Sequence, residues 1–96
     1  MRTESDMQIA GLLQKAAEGS LSEDEFYECF RRWYSQTDAS IKDIVFREVE
    51  HFWANFRFPK SPTNIIENDR TRLRLLARAI DEEWDSTRAQ KEIDNY

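Results

Sequence analysis

The sequence predicts an all-α protein, a single-domain antiparallel four-helix bundle, and three observations carry that prediction. Apolar residues recur every three or four positions through Ser40 to Phe58, SIKDIVFREVEHFWANFRF, the pattern of one broad helical face. The chain is rich in Leu, Ala, Glu, Arg and Gln, with only two Gly and two Pro, a composition that suits helices and gives strands little support. Four amphipathic stretches follow one another with short connections, and packing them antiparallel is the simplest way to bury four apolar stripes. Ninety-six residues make one domain, 1–96, with a tail after about 86 that either extends the last helix or frays.

The first helix is expected from about Ser5 to Glu18, with Met7, Ile9, Leu12, Leu13, Ala16 and Ala17 on its apolar side and Gly19 as the left-handed residue that ends it. The next turn is the clearest local signal. Ser22 is an N-cap with Glu25 as its capping-box partner, and Leu21 is placed to staple against Phe26. The second helix, EDEFYECFRRWYSQ, is expected to bury Phe26, Cys29, Phe30 and Trp33, with Glu23, Asp24 and Glu25 at the positive end of its dipole. A short link, Thr37 to Ala39, makes it an antiparallel neighbour of the third helix.

The third helix is expected to begin at Ser40, with Asp43 in a capping-box position, and to stop at Pro59. Val45, Val49, Phe52 and Phe56 form its inner face. The fourth starts at either of two places, Ser61 with Pro62 or Asn68 with Asp69, and the later start is preferred. It carries Leu73, Leu76, Ala77, Ile80 and Trp84 inward and Arg70, Arg74 and Arg78 outward, with Arg78 and Glu82 at a supporting i,i+4 spacing. Ile93 and Tyr96 are the anchors offered by the tail.

The formal charge of −5 is uneven: residues 1–30 carry seven acids against two bases. An acidic front half argues against nucleic acid and anionic membrane as partners, both of which need clustered Lys and Arg. It suits a basic protein partner instead, although a charged helical surface is also what solubility requires. MRTESDMQ lacks an apolar signal region, and no run approaches membrane-spanning length. The single Cys29 cannot form an internal disulfide, so a cytoplasmic protein is expected.

Catalytic constellations are not expected, nor any cofactor. Glu48 and His51 form a Glu-x-x-His pair of the kind found in di-metal helical bundles, but those sites need a second such motif and the chain has one histidine. Cys29 has no His and Asn partners that would make it a nucleophile, and Gly11 and Gly19 make no phosphate loop. An enzyme is therefore not expected, and no metal site either. Of the aromatic residues, most lie on inward stripes, but Phe46, Tyr34 and Phe58 fall off them, where exposed rings serve as anchors for a protein partner. Acids gather at Glu23 to Glu28, at Glu48 and Glu50, and at Asp81, Glu82, Glu83 and Asp85. The last group opposes the helix dipole if the helix stops near Asp85 and is left for function; it has an ordinary structural place if the helix continues.

The order IAGLLQKAAEGSLSEDEFYECFRRWY, a short link, IVFREVEHFWANFRF, a loop and LRLLARAIDEEW resembles the colicin D-type immunity proteins over Ile9 to Trp84. The resemblance implies a small four-helix protein that binds a cognate toxin nuclease, typically one cleaving tRNA, and covers its active site with an acidic surface. Such a nuclease cleft is positive, and carboxylates can occupy its phosphate positions. The chain departs from the family pattern in placing Arg57, Pro59 and Lys60 where acids would follow the third helix. The expected partner-binding residues, chosen from charge and position, are Phe46, Glu48, Glu50, His51, Asp81, Glu82, Glu83 and Asp85. The alternative is a helical adaptor or regulatory module that binds a protein through exposed aromatic residues.

Overall fold

Helix boundaries follow from local capping chemistry wherever the caps are visible. The computed structural model describes residues 3–57 and 63–95, with the side chains at 56, 57 and 63–66 outside the description. Five helices occur there, α1 (Glu4–Glu18), α2 (Glu23–Gln36), α3 (Lys42–Arg57), α4 (Thr63–Asp81) and α5 (Ser86–Ile93), and no strand is present among the described residues. The fold is therefore all-helical, with one more helix than the sequence patterning predicts. The expected roles of Phe56, Phe58, Pro59, Ser61, Pro62 and Tyr96 lie outside the described residues.

At the start of α1, Thr3 and Asp6 form a reciprocal capping box: the Asp6 N–H donates to the Thr3 hydroxyl (3.2 Å) and the Thr3 N–H to Asp6 Oδ2 (3.0 Å). Its end is the expected one, with Gly19 at φ 79° in the left-handed region and its N–H bonded to Ala16 (3.1 Å). The Ser22 and Glu25 box opens α2 as expected, the Glu25 N–H donating to Ser22 Oγ (3.2 Å). Leu21 packs against the core, but Cys29 is only half-buried, next to an Arg32 guanidinium at 3.8 Å from its sulfur.

The third and fourth helices differ from expectation at their starts. Ser40 and Ile41 form a turn and α3 begins at Lys42; Asp43 is engaged by Tyr34, whose hydroxyl donates to its carboxylate (2.6 Å). The later start for α4 is incorrect, because Asn68 and Asp69 lie inside a helix that runs from Thr63. Asp69 is 4% exposed and bridges two helices: it accepts from Asn55 Nδ2 of α3 (2.8 Å) and from Arg72 (2.8 Å). A buried carboxylate satisfied in this way tolerates its place in the helix interior.

The tail is a helix rather than a fraying end. Glu83 adopts φ 56° and closes α4, after which Asp85 caps α5 by accepting the Arg88 N–H (2.8 Å). Ala89 and Ile93 bury the apolar side of α5 against the rest, and Arg47 Nη2 donates to Gln90 (2.7 Å), tying α3 to α5.

One cluster of buried side chains draws on all five helices. Around it α1 touches α2 and α4, α3 touches α2 and α4, and α5 rests on α3 and α4, while α1 stays apart from α3 and α2 from α4 among the described residues. The most extensive contact is α1 on α4, two helices whose buried residues include Ala10, Ala16 and Ala17 on the first and Ala77 and Ala79 on the second. Small side chains let two helix axes approach closely. Met7, expected inward, is 52% exposed, because the buried stripe of α1 runs through Asp6, Ile9, Ala10, Leu13, Ala16 and Ala17 instead.

Candidate functional site

Along α2 the residues Tyr27, Phe30 and Tyr34 fall at spacings of three and four, so their rings line one edge of the helix. Phe46 of α3 lies against that edge. Its ring is 5.2 Å from Tyr34 and 6.2 Å from Phe30, centroid to centroid, and Tyr27 meets Phe30 edge-on at 6.0 Å. Phe30 is buried, whereas Phe46 is 41% exposed, so the ladder begins in the core and ends in solvent.

These rings floor a groove of about 690 Å³ between α2 and α3. Among the described residues its rim is formed by Glu23, Asp24 and Glu28 of α2 and Glu50 of α3, four carboxylates, with Arg31 beside them and Lys42 over the floor. The first turn of α2 favours Glu23 and Asp24 through the helix dipole, so part of this charge is held in place by local stability. Cations already stand over the rings: Arg31 lies 5.6 Å from the Tyr27 centroid and Lys42 5.2 Å from that of Tyr34. The hydrogen bond to Asp43 holds the Tyr34 hydroxyl above its ordinary titration range, with partial burial and the carboxylate charge adding to the effect.

Of the residues expected to bind a partner, Phe46 and Glu50 reach this groove and the others do not. Glu48 lies more than half a turn round α3 from Phe46, mostly covered, with its carboxylate 3.5 Å from Arg47. His51 is exposed on α3 but does not line the groove. Among the described residues no group of three or more His, Cys, Asp or Glu side chains comes together in a way that could hold a metal ion.

The Asp81 to Asp85 group sits at the corner between α4 and α5, where much of it is held by structure. Arg78 Nε donates to Glu82 Oε2 (2.7 Å), as its spacing predicts, and Trp84 Nε1 donates to the other oxygen (3.1 Å). The Arg78 bond holds the Glu82 carboxyl below the ordinary carboxylate range, and the indole bond adds to that. Two guanidinium groups lie near the Trp84 ring, Arg88 at 4.1 Å and Arg78 at 5.5 Å from its centroid. Asp85 is the cap of α5 and Glu83 occupies the left-handed turn. The helix does stop here, yet a carboxylate at the corner is favourable because another helix begins.

The α2 side of the groove, Tyr27, Glu28 and Arg31 above all, is absent from the residues chosen on sequence grounds. The available signal was the i,i+3,i+7 spacing of Tyr27, Phe30 and Tyr34; what sequence spacing lacks is the register that sets Phe46 beside them. Compared with known proteins, the chain matches no family model, no curated protein and no solved structure.

Proposed function

We propose that the protein is a stoichiometric inhibitor of a bacterial toxin nuclease, an immunity protein that acts in the cytoplasm by covering a basic active-site cleft. It works by occlusion, without catalysis. The single observation that carries this reading is the α2–α3 groove, in which carboxylates outnumber cations among the described residues and surround an aromatic floor that ends in the exposed Phe46 ring. Carboxylates can stand where a nuclease holds phosphates, and aromatic rings supply the desolvated centre that gives an interface its affinity. The family resemblance of the sequence points to the same class of partner. In this reading α1 to α4 pack antiparallel, so that α2 and α3 present their shared edge as one surface. The face contains Phe46 and Glu50; His51 is a neighbour on α3, and the α4–α5 corner is a secondary contact at most.

Co-expression with the nuclease toxin domain encoded beside it tests the proposal. Protection of the host cell and a purified one-to-one complex support it; free toxin activity in the presence of folded inhibitor removes it.

A second reading, a helical adaptor for a peptide or helix, is favoured by the 41% exposure of Phe46. The two part on salt dependence. Charge-based occlusion slows as ionic strength rises, whereas apolar docking does not.

A further inference from the structure

We infer that the α2–α3 groove seats an arginine side chain carried by a basic segment of a protein partner, laid over the exposed ring of Phe46 beside Tyr34, with Glu28 and Glu50 as its counter-charges. This rests on the α2–α3 face being the binding surface, but it does not require the partner to be a nuclease. At about 690 Å³ the groove is larger than one side chain, so it admits a stretch of chain with one residue inserted. Its floor is made of planar rings, whose negative faces attract cations and stack best on a planar guanidinium. The protein's own Lys42 and Arg31 show that attraction, each placed over a tyrosine of the same floor. Among the described residues the rim carboxylates, Glu28 and Glu50 included, outnumber the cations Arg31 and Lys42 and supply the complementary field. A phosphate-bearing occupant would meet those carboxylates at close range, so nucleic acid and anionic lipid are disfavoured.

The test is a titration of the full, isotope-labelled chain with a short amphipathic peptide bearing arginines on one face, followed by amide chemical shifts. Versions with those arginines changed to lysine or to glutamate serve as comparisons. Saturable binding is expected, with shifts concentrated around Tyr34, Phe46 and Glu50, and in the order arginine, then lysine, then glutamate. Phe46→Ala and Glu50→Lys, each checked for unchanged helicity, should weaken the arginine peptide by about tenfold. Shifts centred on the Asp81 to Asp85 corner, equal binding of the glutamate version, or a groove covered by a second copy of the chain would each overturn the inference. Groove binding without protection against the toxin retains the inference and removes the inhibitor reading. Protection that survives both substitutions does the reverse.

Discussion

The Trp33 indole donates from Nε1 to Asp6 Oδ1 across 2.6 Å, joining the first turn of α1 to the last turn of α2 inside the core. Asp6 is 8% exposed and Trp33 3%, so the indole N–H has this carboxylate as its partner in place of water. The same carboxylate accepts the Thr3 N–H (3.0 Å) and the Thr37 hydroxyl (3.3 Å). One side chain thus caps α1, satisfies a buried indole and holds the entry to the α2–α3 link. That link fixes where α2 lies against α3, and so where the groove opens.

Removing the carboxylate should be costly. Asp6→Ala leaves the Trp33 N–H buried without this acceptor and α1 without its capping box, each worth on the order of 1–2 kcal/mol. Chemical denaturation of the variant and the wild type measures the loss; a difference below about 0.5 kcal/mol would contradict this account of Asp6.

The same group sets an acid limit. Burial pushes the Asp6 carboxyl up, but hydrogen bonds from the Thr3 N–H, Trp33, Thr37 and the Thr3 hydroxyl outweigh it and hold the folded value below the ordinary one. A depressed folded value means that the stabilisation is present above the unfolded pKa, about 3.9, and is lost as pH falls through the folded value. The stability gap between wild type and Asp6→Ala should therefore narrow below about pH 4. A gap that stays constant from neutral pH into acid would count against it.

Two glycines should respond in opposite directions. Gly11 lies within α1, exposed, and an added Cβ meets nothing within 4 Å, so Gly11→Ala should stabilise by about 0.5–1 kcal/mol. Gly19 sits at φ 79°, and Gly19→Ala should cost about 1 kcal/mol despite equally open space. Thermal unfolding of the two variants separates conformational from steric causes; shifts of the same sign would refute the distinction.

The fifth helix depends on its cap and on two buried residues. Asp85→Ala should cost about 1 kcal/mol and raise amide hydrogen exchange through Ser86–Ile93, while α1 and α4 exchange as before. Uniform acceleration across the chain would mean that α5 unfolds only with the whole.

Much of the architecture is legible in the sequence because it rests on local rules. Ser22 with Glu25, Gly19, and the inward set Leu73, Leu76, Ala77, Ile80 and Trp84 need no knowledge of distant residues. What escapes is decided at a distance. Nothing local marks Asp6 as a buried residue, and its partner Trp33 lies 27 positions away. Asp69 reads as a helix start because its partner Asn55 is out of sight. The corner at Asp85 gives a misleading signal when the tail is taken as a continuation or a frayed end. At the groove, Phe46 and Glu50 are identifiable as residues off the core stripe of α3, but the pairing with Tyr27, Phe30 and Tyr34 depends on the register of α2 against α3. No helical pattern encodes that register by itself.

The central claim is that the α2–α3 groove is the partner-binding face, and Glu50→Lys tests it most directly because Glu50 is exposed and lines the groove. The measurement is the affinity and association rate of the folded variant for the toxin nuclease domain proposed as its partner, at low and at high salt. The prediction is a loss of at least about tenfold in affinity, chiefly through slower association at low salt, with wild-type stability retained. Unchanged affinity in a folded Glu50→Lys protein would contradict it and move the binding face to the Asp81 to Asp85 corner.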